Sequence, residues 1–136
     1  MELSPYLNFN GNCAAAFKFY EQCLGGTIVM MMTHGESPMK DRVPADWHDK
    51  VMHARLLVGD QALMGMDAPP TSYAAPQGIF VSFSVASAAD AERIFKALVE
   101  SGKVTMPFAK TFWSPGFGML VDRFGIPWMV NAEQAV

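Results

Sequence analysis

The amino-acid sequence predicts an α+β fold of two βαβββ modules, and three observations carry that prediction. Short β-rich runs alternate with two segments of helical period. The order strand, helix, strand, loop, strand, tight turn, strand occurs twice. A proline-rich linker, residues 69–77 with Pro69, Pro70 and Pro76, separates the two occurrences, leaving module one at 1–68 and module two at 78–136 of a single 136-residue domain. One helix and four strands are too little for a closed core. Two such modules side by side would form a curved mixed sheet, with helices on its outer face and a cleft inside.

In the first module, Pro5-Tyr6-Leu7-Asn8-Phe9 reads as a strand and Asn10-Gly11-Asn12 as a turn that starts a helix. Cys13, Ala16, Phe17, Tyr20 and Leu24 recur on one helical face, and Gly25-Gly26 ends the helix. A β-branched and Met-rich strand covers 27–33. Residues 34–50 lack a period and form a long loop. Strands at 51–58 and 61–66 flank a Gly59-Asp60 turn. In the second module a strand covers 78–85. Ser87 and Asp90 open a helix whose apolar face is Ala91, Ile94, Phe95, Leu98 and Val99, with Gly102 as its stop. A strand over 104–111 is interrupted or ends near Pro107. The chain closes on a hairpin: apolar runs at 117–121 and 126–130 flank Asp122-Arg123-Phe124-Gly125, whose glycine suits a positive φ. Period-two alternation places Ile126, Trp128 and Val130 toward the helix, together with Val81, Phe83 and Val85. Phe80, Ser82, Ser84 and Met129 then belong to the cleft side.

Composition excludes several classes. With 51% hydrophobic and 17% charged residues the chain is globular. A net charge of −3 with scattered Lys and Arg gives no footprint for nucleic acid. No apolar run approaches the ~18 residues of a membrane helix. The opening Met1-Glu2-Leu3-Ser4-Pro5 lacks the features of a secretory signal, so a cytoplasmic location is expected. Cys13 and Cys23 lie ten residues apart on the predicted helix, about 15 Å at 1.5 Å per residue. That is too far for a disulfide, and they read as small buried residues.

The chain resembles the glyoxalase/bleomycin-resistance superfamily, the vicinal oxygen chelate proteins, and within it the PhnB-like branch. The resemblance lies in Pro5-Tyr6-Leu7-Asn8-Phe9-Asn10-Gly11-Asn12, Phe19-Tyr20, Met52-His53-Ala54 with Gly59-Asp60, and above all Thr111-Phe112-Trp113 through the closing hairpin to Asn131. It implies paired βαβββ modules and commonly a dimer, so a homodimer is expected. It also implies a superfamily of metal-dependent isomerases, dioxygenases and thiol transferases beside metal-free drug-binding proteins, so fold does not settle function. Branch members sometimes carry a demethylubiquinone methyltransferase label. No strand-to-helix G-x-G loop for S-adenosylmethionine occurs here.

In the superfamily's metal enzymes His, Gln or Glu ligands project into the cleft from the first and last strands of each module. The first position falls on Pro5 by spacing; alternation leaves Ser4, Tyr6 and Asn8 as the other cleft candidates. The remaining positions fall on Met64, Phe80 and Met129, which are expected to meet in one cleft. A thioether or a phenyl ring is a poor substitute for imidazole or carboxylate on a divalent ion. No metal and no cofactor is expected.

Of the three histidines, His34 and His48 read as solvated loop residues. His53 opens a strand, shares a face with Arg55, and is the candidate acid/base group. Asp67 and Asp122 read as backbone acceptors at turns. The expected ligand-binding set is Tyr6, His53, Met64, Phe80, Phe112, Trp113 and Met129. It suits a small apolar or amphipathic molecule. The leading function is therefore a metal-free small-molecule binder. The alternatives are an isomerase- or transferase-like enzyme using His53 or a metal on non-family ligands, and a structural or regulatory dimer.

Overall fold

The computed structural model describes residues 1–133, which fold as two compact units, the first over Met1–Ala74 and the second from Ala75 onward. The first contains β1 (Tyr6–Phe9), α1 (Cys13–Leu24), β2 (Thr27–Thr33), β3 (Val51–Val58) and β4 (Gln61–Asp67). The second contains β5 (Val81–Val85), α2 (Ala88–Val99), β6 (Lys103–Ala109), β7 (Phe117–Val121) and β8 (Pro127–Ala132). Each unit has the predicted βαβββ order, and its strands make one four-stranded mixed sheet, β1-β4-β3-β2 and β5-β8-β7-β6. In both, the first strand pairs in parallel with the last and the other neighbours run antiparallel.

One face of each sheet is sealed by its own helix. In the first unit Leu7, Phe9, Ala54 and Leu56 are buried, and Phe9 packs against Phe17 and Tyr20 of α1. A Cβ at Gly65 would come within 2.8 Å of the Phe17 ring, so helix and sheet meet here at a glycine because nothing larger fits. This resolves the parity that alternation left open: Leu7 and Phe9 face the helix, and Tyr6 and Asn8 face away. In the second unit Leu120, Trp128 and Val130 are buried, Leu120 lies opposite Trp128, and a Cβ at Gly118 would meet Phe95 of α2 at 2.7 Å. Trp128 is on the helix side, as the alternation predicts.

Two buried carboxylates tie the ends of these elements together. Asn12 precedes α1 without a side-chain cap bond. Asp67, at the far end of β4 and 1% exposed, supplies the acceptors instead: Oδ1 takes the Gly11 and Cys13 amides at 3.0 and 2.9 Å, and Oδ2 takes the Val51 amide at 2.9 Å. Asp122 does the same for the closing hairpin. It accepts from the Phe124 and Ile126 amides at 2.8 and 3.0 Å and from Trp128 Nε1 at 2.9 Å, while Gly125 turns the chain with φ 89°. Both acids are backbone acceptors as expected, but Asp67 reaches across more than fifty residues rather than closing a local turn.

Three local expectations change. Helix α2 begins at the expected Ser87 cap, which accepts the Asp90 amide at 3.1 Å, but Gly102 does not supply the left-handed residue at its end. Ser101 does, at φ 60°; Gly102 is needed because a Cβ there would lie 2.5 Å from the Val121 carbonyl oxygen. The interrupted strand near Pro107 is a continuous edge strand, β6, whose pairing with β7 slips between Val104 and Met106 and again between Met106 and Ala109. A proline is tolerated at such an edge, where no ladder bond needs its missing N–H. His34 is not solvated: it is 7% exposed, and its amide donates to the Lys50 carbonyl at 2.9 Å. The expected disulfide-free cysteines are both buried, and burial pushes the Cys13 thiol well above its ordinary range, with Asp67 acting in the same direction. Among the described residues no helix is long and apolar enough to cross a membrane.

Candidate functional site

The face of the first sheet opposite α1 follows from register. Tyr6 lies opposite Met64 and Asn8 opposite Met66. Arg55 lies opposite Met64 on one side and Met30 on the other, and Met32 lies opposite His53. Directly opposed residues share a face. Tyr6, His53, Arg55 and Met64 therefore come together, ringed by Met30, Met32 and Met66. The sequence reading reached Tyr6, His53 and Met64 and noted Arg55. Register in β2 sends Met30 and Met32 to the same open face.

The polar centre of this face is a tyrosine–histidine pair. Tyr6 Oη and His53 Nδ1 are 2.9 Å apart, with ring centroids at 5.7 Å and planes inclined by 26°. Burial raises the Tyr6 phenol above its ordinary range, and the Cys13 thiol adds in the same direction, so Tyr6 is a neutral hydroxyl at physiological pH. With the proton on Nε2, His53 accepts from that hydroxyl; with the proton on Nδ1 it donates to it. Arg55 donates from Nη1 to the Met64 sulfur at 3.5 Å. It also forms a two-bond pair with Glu2, at 2.9 and 2.7 Å. Those hydrogen bonds hold the Glu2 carboxyl below its ordinary range. Sequence reasoning missed Glu2, which lies ahead of the first strand and carries no pattern that could have marked it.

The other candidates belong to the second unit. Met129 lies opposite Met119 and Ser82, on the face away from α2. Phe80 precedes β5, which begins at Val81 rather than at residue 78, and is 43% exposed. Phe112 and Trp113 stand in the 111–114 turn, 93% and 45% exposed. Neither is core. Trp113 packs edge-on against Phe112 and against Phe117, with centroids at 4.8 and 5.4 Å. On the same face as Met129, Asn131 keeps a buried Oδ1 for which no partner occurs among the described residues, while its Nδ2 lies 3.5 Å from Ser84 Oγ.

The donor set does not suit a divalent metal at the superfamily's positions. Met64 offers a thioether already in contact with Arg55, Met129 another thioether, and Phe80 no lone pair. Among the described residues no three His, Cys, Asp or Glu are grouped to hold an ion.

Comparison with known proteins agrees with this architecture. The family model described as Glyoxalase/Bleomycin resistance protein/Dioxygenase superfamily matches residues 3–130. The chain is 33% identical to protein YjdN of Escherichia coli K12 over 96% of its length and 95% of that protein's. The crystal structure of protein PA1353 from Pseudomonas aeruginosa is 52% identical, covers 99% of both chains and superposes with a TM-score of 0.91. The PhnB protein of Bacillus cereus, at 19% identity and 97% and 99% coverage, shares the fold with a TM-score of 0.80.

Proposed function

We propose that this chain, which belongs to the glyoxalase/bleomycin resistance protein/dioxygenase superfamily, is a small-molecule-binding protein that works without the superfamily's metal. The observation that carries the reading is the open face of the first sheet. There four methionines surround a hydrogen-bonded Tyr6–His53 pair and a guanidinium. Methionine side chains are apolar, polarisable and conformationally adaptable, and so suit ligands of varied shape. A few converging polar groups then orient the ligand. The expected occupant is a small apolar or amphipathic molecule. The second unit carries an apolar surface of its own, with Met129, Phe80, Phe112 and Trp113. The reading includes a homodimer in the cytoplasm, in keeping with exposed apolar residues such as Val104 and Met106 on edge strand β6.

A thermal-shift screen on metal-stripped protein, with elemental analysis of protein as purified, tests this function. Ligand-dependent stabilisation with no stoichiometric metal is the expected result. Stoichiometric Zn, Ni, Mn or Fe whose removal abolishes binding would overturn it.

The 2.9 Å contact between Tyr6 Oη and His53 Nδ1 favours a second reading, an enzyme in which this pair moves a proton. His53 would take a proton from a bound substrate while Tyr6 fixes its ring, and the Tyr6 hydroxyl would stabilise developing negative charge. Turnover lost on His53→Gln with ligand affinity retained would support this reading over simple binding.

A further inference from the structure

Arg55 sits mid-strand on the open face, between Met64 and Met30 in register, and both of its terminal nitrogens go to one carboxylate. Nη1 donates to Glu2 Oε1 at 2.9 Å and Nη2 to Oε2 at 2.7 Å. This is the parallel two-bond fork through which a guanidinium reads a carboxylate or a similar planar anion. Burial does not hold the segment that delivers the carboxylate. Met1 and Leu3, on either side of Glu2, are 125% and 99% exposed. Main-chain bonding to the sheet starts further on, where the Pro5 carbonyl accepts the Met64 amide at 3.1 Å. A carboxylate on a short tether thus occupies a guanidinium set among thioethers, beside the Tyr6–His53 pair.

We propose that Arg55 anchors the carboxylate of a small amphipathic acid, an alkyl or aryl monocarboxylate, and that Glu2 fills this anchor from within the chain until the ligand displaces it. The proposal rests on the reading of this face as a binding surface and adds the ligand's charge and chemical class. Two features favour it. The fork geometry is already formed, so a ligand carboxylate replaces one two-bond pair by an equivalent one and leaves the guanidinium paired. The displaced group returns to water at little cost, because Glu2 is exposed and Arg55 only half-buried, with side-chain exposures of 47% and 31%. Competition from a pair of this kind lowers ligand affinity by roughly twofold to fivefold. The apolar body of the acid would lie over Met64 and its neighbours, where an alcohol of the same length could also lie but without the anchor.

The test uses octanoate and octanol as probes, titrated into full-length protein carrying 13C-labelled methionine methyls and followed at Met30, Met64 and Met66. Octanoate is expected to bind more tightly than octanol. Glu2→Gln should tighten octanoate about twofold to fivefold and leave octanol unchanged. Arg55→Gln should bring octanoate down to the level of octanol. An unchanged thermal midpoint in Arg55→Gln confirms that this half-buried side chain has been removed from a folded protein. Should that midpoint fall, Glu2→Gln alone decides. Equal binding of the two probes in the wild type, or no gain for octanoate in Glu2→Gln, would overturn the anchor while leaving the binding face intact. If neither probe moves Met64 or Met66 in any variant, the anchor and the reading of the face fall together.

Discussion

Asp67 gives the sharpest test of how the first unit holds its site in place. Its carboxylate is 1% exposed and accepts three main-chain amides, Gly11 and Cys13 at the start of α1 and Val51 at the start of β3. Asp67→Asn keeps size and shape but replaces one oxygen with an NH2 group. With Oδ1 kept toward Gly11 and Cys13, that NH2 faces the Val51 amide, donor against donor; the flipped amide leaves two donors unpaired instead. A buried donor stripped of its partner costs about 1–3 kcal/mol, and the lost charge assistance on the other bonds adds to this. A destabilisation of about 2–4 kcal/mol follows, which at about 3–5 °C per kcal/mol for a chain of this length lowers the melting midpoint by roughly 6–20 °C. Asp67→Ala, with all three donors unpaired, should cost more. Denaturant unfolding with hydrogen exchange read at Gly11, Cys13 and Val51 measures both effects. Wild-type stability in Asp67→Asn, or lost protection everywhere except at those amides, would refute the assignment of Asp67 as the clasp between α1, β3 and β4.

Trp128→Ala removes a 1%-exposed indole and leaves Asp122 without its Nε1 donor, and it should destabilise by about 3–5 kcal/mol in denaturant titration. Trp113→Ala, at a 45%-exposed turn position, should fold like the wild type; if ligand binding involves that turn, Trp113 fluorescence responds to ligand in the wild type. The Glu2 carboxyl, held low by Arg55, should titrate below its ordinary value of 4.5 in a carbon-detected NMR experiment and return toward it in Arg55→Gln. The sign follows from the lowered pKa: the pair contributes fully above the ordinary carboxylate pKa and is lost as pH falls through the lowered one. Light scattering at micromolar concentration should give about twice the 14.9 kDa chain mass, and a value of one chain mass would remove the homodimer from the proposal.

Local pattern made most of the architecture legible. Alternation in 126–130 puts Trp128 against α2, and the glycine after Asp122-Arg123-Phe124 turns the hairpin; both depend on neighbours within a few residues. The first strand was harder, because a four-residue strand gives alternation little length to establish parity, and the packing of Phe9 on α1 settled it. What local pattern could not reveal is long-range pairing. Asp67 replaces the missing cap at Asn12 from more than fifty residues away, and Glu2 finds Arg55 across a similar separation. The site was half legible for the same reason. Tyr6, His53 and Met64 could be proposed from family positions and strand parity. The bond between Tyr6 and His53 spans an intervening strand and exists only once β1, β4 and β3 lie in register.

The central claim, a metal-free binding face on the first sheet, is tested most directly by methionine-methyl NMR of metal-stripped protein. Small alkyl and aryl alcohols and carboxylates would be added in turn. Met30, Met32, Met64 and Met66 should shift together and saturably, with Met1 and Met39 as unmoved controls. Shifts confined to other methionines, or shifts on the face that occur only after a divalent ion is restored, would contradict it.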